Sequence, residues 1–158
     1  MSAAARPLTV ADVCRAHPAL ALDSNVLIYL FEGEGAEADR AGELIDAMGA
    51  GTTAGSLATL GLAEILAGPA GRGAAAVAAR YVDELTSLEN LTLVSLDVQV
   101  AQEAASIHGS GALSLADAIH LASARRAGAT AFVTNDRRIR PIDGLDIVYL
   151  GALAAVSE

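Results

Sequence analysis

The chain has 158 residues, of which 53% are hydrophobic and 18% charged, and this size and apolar content predict one folded domain rather than a disordered chain. Its 19 acidic residues outnumber 10 basic ones, and the resulting net charge of −9 argues against binding nucleic acid over the whole surface. All ten basic residues are arginines, which excludes a P-loop and Schiff-base catalysis, because both need a lysine.

Further features of the sequence argue against a disulfide, a zinc site, a membrane span and secretion. The single cysteine, Cys14, has no disulfide partner in the chain, and three scattered histidines show no zinc-ligand spacing. The sequence contains no apolar stretch near the roughly 18 residues of a membrane-spanning helix, and its N-terminus does not resemble a secretion signal. We therefore expect a cytoplasmic protein that does not contact membranes.

Short apolar runs alternate with longer segments of helical periodicity, a pattern typical of an α/β fold with a largely parallel sheet. Residues 1–18 are predicted to form an N-terminal extension, with a helix near Thr9–Ala16 packed outside a single domain of residues 19–158. Strands are predicted at Leu20–Leu22, Thr52–Gly55, Leu91–Ser95, Ala131–Thr134 and Asp146–Tyr149. Helices are predicted between them at Val26–Phe31, Ala36–Met48, Leu57–Ala67, Ala74–Leu88, Val98–His108 and Leu115–Arg126.

Two acidic residues stand at the ends of predicted strands. Asp23 follows the run Leu20–Leu22, and Asp136 follows the run Ala131–Asn135. Both therefore lie at the carboxyl ends of predicted parallel strands, which is the edge where open α/β sheets bind ligands.

Two more acidic residues interrupt predicted apolar helix faces. Glu64 follows Leu57 by seven residues and Leu60 by four, and Asp117 precedes Leu121 by four. An unpaired charge on such a face is costly. Since no arginine lies at a helical contact spacing from Glu64, a bound cation is an attractive partner, with an arginine from elsewhere in the fold as the alternative.

Each of these acids also has a purely structural interpretation. Asp23 can cap the following helix, and Asp136 can cap the turn after it. Ser114 and Asp117 have the spacing of a capping box, in which the acid bonds back to the cap. Glu64 can be a partly exposed helix residue. The residues by themselves leave both interpretations open.

Four segments that contain these acids resemble the motifs of PIN-domain ribonucleases in their order and spacing. The segments are Leu22–Ile28, Leu62–Leu66, Leu115–Ala122 and Phe132–Asp136. The resemblance extends from about residue 20 to the end of the chain, and the size is similar to that of the VapC toxins of bacterial toxin–antitoxin pairs. It implies a PIN-like three-layer fold with a five-stranded, largely parallel sheet flanked by helices.

The same resemblance implies a metal-dependent endoribonuclease with an acidic pocket that holds Mg²⁺ or Mn²⁺. Asp23 and Asp117 match the principal metal ligands, and Glu64 and Asp136 match the remaining catalytic acids. Such a cation neutralises clustered carboxylates and binds phosphate oxygens. Glu64 and Asp136 are both candidates for accepting the proton of the attacking water.

Further residues beside these acids are candidates for supporting roles. Neutral polar side chains that are able to orient carboxylates or water, or to serve only as turn and cap residues, are Ser24, Asn25, Thr134 and Asn135. Half of the arginines are candidates for an RNA-binding rim: Arg125, Arg126, Arg137, Arg138 and Arg140. His120 follows Asp117 by three residues, and its apolar neighbours favour a packed helix residue over a catalytic one.

The expected partners are an RNA substrate, a small antitoxin protein that covers the acidic cleft, and a second copy of the chain in a homodimer. Two other functions remain open at this stage. One is a catalytically silent PIN-fold module that binds RNA or protein. The other is a structure-selective DNA nuclease of the flap type, which is less favoured because the chain has no spare length for an added helical arch.

Overall fold

A computed structural model describes residues 4–156 of the chain; residues 1–3 of the predicted extension and residues 157–158 of the predicted domain lie outside the described part. Its five strands form one sheet in the order β3-β2-β1-β4-β5, and every neighbouring pair is parallel. The strands are β1 (Ala19–Leu22), β2 (Ala54–Ala58), β3 (Leu91–Val94), β4 (Ala131–Thr134) and β5 (Asp146–Tyr149). The predicted α/β class with a five-stranded sheet is confirmed, and the described sheet is parallel throughout.

Helices cover both faces of this sheet. They are α1 (Val10–Ala16), α2 (Ser24–Glu32), α3 (Gly35–Gly49), α4 (Thr59–Gly71), α5 (Ala75–Ser87), α6 (Val98–Ser110) and α7 (Leu115–Arg126), and a short 3-10 helix follows β5 at Leu150–Ala152. Side chains of a strand alternate between faces. Accordingly, Leu20 and Leu22 pack in a cluster with residues of α1 to α5, whereas Ala21 and Phe132 pack with α6 and α7. The result is the predicted three-layer arrangement.

The N-terminal helix belongs to the core. Val10, Val13 and Cys14 of α1 are buried in the same cluster as the residues of β1. Thr9, just before this helix, also forms a parallel bridge with Ala154 near the other end of the chain. The prediction that this helix packs outside the domain is therefore wrong, because its apolar face completes the core. The boundary at residue 18 stays a prediction.

The predicted boundaries around β2 are also wrong. The strand extends to Ala58, and α4 begins at Thr59 and continues through Pro69. The segment at positions 55–58 is buried between β1 and β3, and a strand buried on both faces shows no alternation that would distinguish it from a helix. Leu57 therefore lies on a strand, and it does not define a buried face for Glu64.

The topology brings several chain segments to one edge of the sheet. The central strand β1 ends at Leu22, where α2 begins after a single residue, and its neighbour β4 ends at Thr134. Helices α4 and α7 both pack against β2 and against each other beside this edge. Within residues 4–156, no helix is both long and apolar enough to cross a membrane.

Candidate metal centre

Asp23 occupies the junction between β1 and α2. Its backbone N–H donates to the carbonyl of Val133 at 2.9 Å, which extends the pairing of β1 with β4. Its carboxylate Oδ1 caps α2 by accepting the N–H of Ser24 at 2.8 Å, and Oδ2 accepts the hydroxyl of Thr134 at 2.6 Å. The capping role and the position at the sheet edge thus coincide in one residue.

The carboxyl group of Asp23 is strongly desolvated, since the residue is only 7% exposed. Burial raises its pKa, against the lowering effects of the Thr134 hydroxyl, the nearby His120 and the Ser24 N–H. Burial disfavours the charged carboxylate, so the group either takes up a proton or needs a nearby cation that stabilises its negative charge. This carboxylate is therefore a natural ligand for a positive group.

Glu64 of α4 has His120 of α7 as its partner. The Nε2 atom of His120 lies 2.5 Å from Oε1 of Glu64 and 3.8 Å from Oδ1 of Asp23. The side chain of His120 is 2% exposed and that of Glu64 is 42% exposed. Glu64 therefore stands at the mouth of the site, which contradicts the predicted core-facing position, and its partner is a histidine from the neighbouring helix.

The charges of these groups depend on each other. The hydrogen bond from His120 lowers the pKa of Glu64. Burial opposes a charged imidazole, but the bond to Glu64 and the negative charges of Asp23, Glu64 and Asp117 together raise the pKa of His120. Without a metal, the geometry favours an ion pair between protonated His120 and the carboxylate of Glu64.

Close packing at Gly61 allows His120 to reach this position. A Cβ atom at Gly61 would lie 2.6 Å from Cδ1 of Leu57 and 3.2 Å from Cε1 of His120. Both neighbours are buried. The absence of a side chain at this position thus lets the imidazole fit between α4 and the sheet.

Asp23, Glu64 and His120 form a group that can bind a metal ion, because one ligand atom from each lies within 4.8 Å of the others. A further oxygen lies beside it. The amide nitrogen of Asn25 is 3.5 Å from Oδ2 of Asp23, and the buried Oδ1 of Asn25 has no hydrogen-bond partner in the described part of the chain. Two carboxylates and an unpartnered amide oxygen are suitable ligands for a hard divalent cation. These residues fit a metal ion. We call Asp23, Glu64 and His120 the acidic cluster, and Asn25 lies beside it.

Asp117 lies near the acidic cluster but is not one of its compact members. It stands in the first turn of α7, one turn before His120, and its charge contributes to the raised pKa of that histidine. Its N–H donates to the Ser114 hydroxyl at 3.1 Å, whereas among residues 4–156 its carboxylate makes no return bond to Ser114. Only half of the predicted capping box forms, and the carboxylate remains available.

Asp136 is connected to the acidic cluster through Thr134. The hydroxyl of Thr134 accepts the N–H of Asp136 at 3.0 Å while it donates to Asp23. The carboxylate of Asp136 accepts two bonds from the guanidinium of Arg138, at 3.0 and 2.8 Å, and this contact lowers its pKa. Asp136 therefore lies at the same sheet edge with its charge already paired.

The candidate supporting residues divide into two groups. Ser24, Asn25 and Thr134 all contact the carboxylate of Asp23. Asn135 instead has structural contacts, because its amide donates to the hydroxyl of Tyr29 at 3.3 Å and accepts the N–H of Gly151 at 2.9 Å. Its side chain connects α2 to the C-terminal segment.

The five candidate arginines do not form one rim. Arg125, Arg138 and Arg140 line a common cavity. Arg137 lies over the ring of Tyr149, 4.4 Å from its centroid. Arg126 lines another cavity, beside β1, β2 and β3.

The profile of the PIN domain family matches residues 20–145. The chain belongs to the PIN domain family. This match covers β2, β3, β4, all of β1 except its first residue, and the acidic cluster, and it ends just before β5. No curated protein sequence matches the chain.

Solved structures with the same fold come from toxin–antitoxin systems. A toxin–antitoxin complex from Klebsiella pneumoniae shares 20% identity with this PIN domain, with a TM-score of 0.60 over 80% of this chain and 94% of its own. VapBC-1 from nontypeable Haemophilus influenzae shares 15%, with a TM-score of 0.62 over 84% and 98%. VapC20 of Mycobacterium tuberculosis, a toxin that cleaves the sarcin-ricin loop, shares 15%, with a TM-score of 0.56 over 72% and 86%. At these identities the likeness shows the shared fold.

His120 is the member of the PIN domain's acidic cluster that the sequence analysis did not select. Its apolar neighbours favoured simple packing, and they are indeed buried: Ala118, Leu121 and Ala122 are all fully inaccessible. The spacing of three residues from Asp117 was the available clue, because residues three apart share a helix face. The contact with Glu64 itself joins residues 56 positions apart, and no local pattern reports it.

Proposed function

We propose that this PIN domain is a metal-dependent endoribonuclease and the toxin of a toxin–antitoxin pair. The observation that carries the proposal is the acidic cluster at the carboxyl edge of the parallel sheet, with ligand atoms of Asp23, Glu64 and His120 within 4.8 Å of one another. Family membership and the likeness to VapC20, which cleaves the sarcin-ricin loop, support the same conclusion.

The residues of the cluster have distinct tasks in this proposal. Asp23 and Glu64 hold Mg²⁺ or Mn²⁺, with Asp117 as a further ligand from the first turn of α7. Bound there, such a cation supplies positive charge against the phosphate and acidifies water for attack on phosphorus. Thr134 keeps the Asp23 carboxylate in a fixed orientation through its 2.6 Å bond. His120 positions Glu64 by the bond from its Nε2 atom.

A proton acceptor is needed for the attacking water. The carboxylate of Asp136 accepts bonds from two nitrogens of the Arg138 guanidinium, whereas that of Glu64 is 42% exposed and bonded through one oxygen to His120. A carboxylate with a free oxygen at the mouth of the site is the better base. We therefore propose that the carboxylate of Glu64 holds the cation and also accepts the proton at its free oxygen, with Asp136 as an organiser of the sheet edge.

The proposed protein partner is a small antitoxin that covers the acidic cleft and presents an arginine to its carboxylates. Solved complexes of the same fold contain toxins together with antitoxins. A homodimer of this chain is the proposed assembly, and co-purification with the product of a neighbouring reading frame, followed by measurement of its mass in solution, tests both.

The catalytic assignment is tested by RNA cleavage with Mg²⁺ or Mn²⁺, with EDTA as the blank. Asp23→Asn is expected to abolish cleavage while the protein stays folded, because Asn still caps a helix well. Asp97→Asn is the matched control: Asp97 also caps a helix, α6, through the N–H of Val100 at 2.8 Å, and it is not part of the acidic cluster. Cleavage by the Asp23 variant at the wild-type rate would contradict the proposal.

The same preparation distinguishes the two other candidate functions. A silent binding module would show no Mn²⁺ site whose affinity falls in the Asp23→Asn variant. A flap-type DNA nuclease would cut flapped DNA in preference to single-stranded or duplex RNA. We expect preference for single-stranded RNA, which presents accessible bases.

A further inference from the structure

A cavity of about 470 Å³ lies between the ends of α6 and α7 and the segment that follows β4. Arg125, Arg138 and Arg140 are among the residues that line it. The remaining walls include the apolar side chains of Ile107, Leu113 and Ile142. We call this space the arginine cavity.

The charge in the arginine cavity contrasts with the rest of the protein. The chain has a net charge of −9, yet three of its ten arginines line this one space, with Asp143 as the acidic residue in the lining. Arg125 is paired with Glu103 at 3.1 Å, and Arg138 is paired with Asp136. Arg140 is exposed and has no ion pair or hydrogen bond to any residue in the range 4–156.

Arg138 connects the arginine cavity with the acidic cluster. It bonds to Asp136, and the negative charges of Asp136 and Asp117 both raise its pKa, which places all three within electrostatic reach. Arg125 marks the far wall, eight residues after Asp117 on α7, or about 12 Å along a helix. The two sites are therefore close enough to hold neighbouring parts of one nucleic-acid strand.

We propose that the arginine cavity binds one nucleotide of the RNA strand that flanks the bond to be cut. Arg140 holds its phosphate, because a guanidinium presents paired donors that match two phosphate oxygens, and Arg138 adds the N–H groups that Asp136 does not occupy. The base or ribose lies against Ile107, Leu113 and Ile142. This inference depends on the proposed function for the choice of RNA as the ligand. It explains how an acidic protein holds a polyanion: Arg140 offers a guanidinium with no acidic partner among residues 4–156, in the same cavity as Arg138, which bonds to Asp136.

Binding of a short fluorescent single-stranded RNA, measured by anisotropy in EDTA, tests the cavity without cleavage. Arg140→Gln is expected to weaken the Kd about tenfold and to reduce the slope of log K against log salt by about 0.7, the loss of one phosphate contact on a single strand. Arg140→Lys keeps the charge and is expected to keep the slope. Arg15→Gln is the matched control, since Arg15 is an exposed arginine of α1 paired with Asp12.

Three results would overturn the inference. The first is the absence of RNA binding by the wild-type protein in EDTA. The second is an equal Kd and salt slope for wild type and Arg140→Gln, or an equal loss in the Arg15→Gln control. The third is binding of a glutamate-rich peptide with the same affinity and the same dependence on Arg140, which would assign the cavity to a protein partner. Thermal unfolding of each variant checks that the exposed substitutions leave the fold intact.

Cleavage assays separate this inference from the proposed function. If the wild-type protein binds RNA through Arg140 but does not cut it with Mg²⁺ or Mn²⁺, the cavity stands and the nuclease assignment fails. If the protein cuts RNA and Arg140→Gln changes neither binding nor KM, the nuclease assignment stands and the cavity inference fails.

Discussion

Substitution of Gly61 by alanine tests whether close packing between α4 and α7 shapes the acidic cluster. The added Cβ atom would lie 2.6 Å from Cδ1 of Leu57 and 3.2 Å from Cε1 of His120. Leu57 is 0% exposed and His120 is 3% exposed, so both side chains are enclosed by other protein atoms. Leu57 must therefore shift and the imidazole must give by a few tenths of an ångström, which disturbs its bond to Glu64.

Two opposing effects set the size of the change in stability. An alanine in place of a helical glycine favours folding by at most about 1 kcal/mol. Overpacking of a buried site costs about 1–3 kcal/mol. We therefore expect Gly61→Ala to lower the free energy of unfolding by about 0–3 kcal/mol, the difference between these two contributions. Displacement of His120 should also weaken Mn²⁺ binding at least tenfold, as is usual when a residue that orients a metal ligand is disturbed.

Gly42→Ala provides the matched control, because Gly42 lies in the middle of α3 and an added Cβ atom there meets nothing within 4 Å. This variant should be stabilised by about 0.5–1 kcal/mol with unchanged Mn²⁺ affinity. Urea unfolding and calorimetric titration with Mn²⁺ measure both quantities. If Gly61→Ala were stabilised as much as Gly42→Ala and bound Mn²⁺ equally well, the argument from close packing would be refuted.

Two further predictions concern the groups that surround Asp23. Thr134→Val should lower the free energy of unfolding by about 1–3 kcal/mol, since the buried Oδ2 of Asp23 and the N–H of Asp136 both lose a hydrogen-bond partner. Urea unfolding measures this change, and an unchanged midpoint would contradict the prediction. In EDTA, NMR titration of the imidazole should give a pKa of His120 above 6.5 in the wild type. Glu64→Gln should lower that pKa, because burial then acts against the charged ring with less compensation, and a pKa that stayed the same would show that Glu64 is not its partner.

Some members of the site could be selected from the sequence because each follows a recognisable local pattern. Asp23 and Asp136 come directly after apolar runs, and parallel strands place such positions at one edge of the sheet. The structure puts both there, connected through Thr134. The boundaries of β2 and α4 were less accessible, because a doubly buried strand and a buried helix start present the same unbroken apolar run.

The partners of the charged groups could not be derived from the sequence. The sequence predicted a bound cation or a distant arginine as the partner of Glu64, whereas the structure supplies His120 from α7, 56 residues away. In the same way, the five candidate arginines are close in sequence but lie in different places. Arg125, Arg138 and Arg140 line one cavity, whereas Arg126 lines another and Arg137 lies over the ring of Tyr149. Side-chain direction within a loop or helix end depends on packing that local spacing does not encode.

By itself, the sequence determined the residue types, the order of secondary-structure elements and the motifs. It has acids but no lysines, an alternating strand and helix pattern, and four motifs in the order of a PIN domain. These properties are local, because apolar period, capping residues and residue chemistry act over a few positions. Only the tertiary structure decided which groups meet. It placed His120 between Glu64 and Asp23, left Asp117 and Asp136 beside that group, and gathered three arginines around a cavity. These contacts depend on how the helices pack on the sheet, and that packing is determined by the side chains of the whole core together.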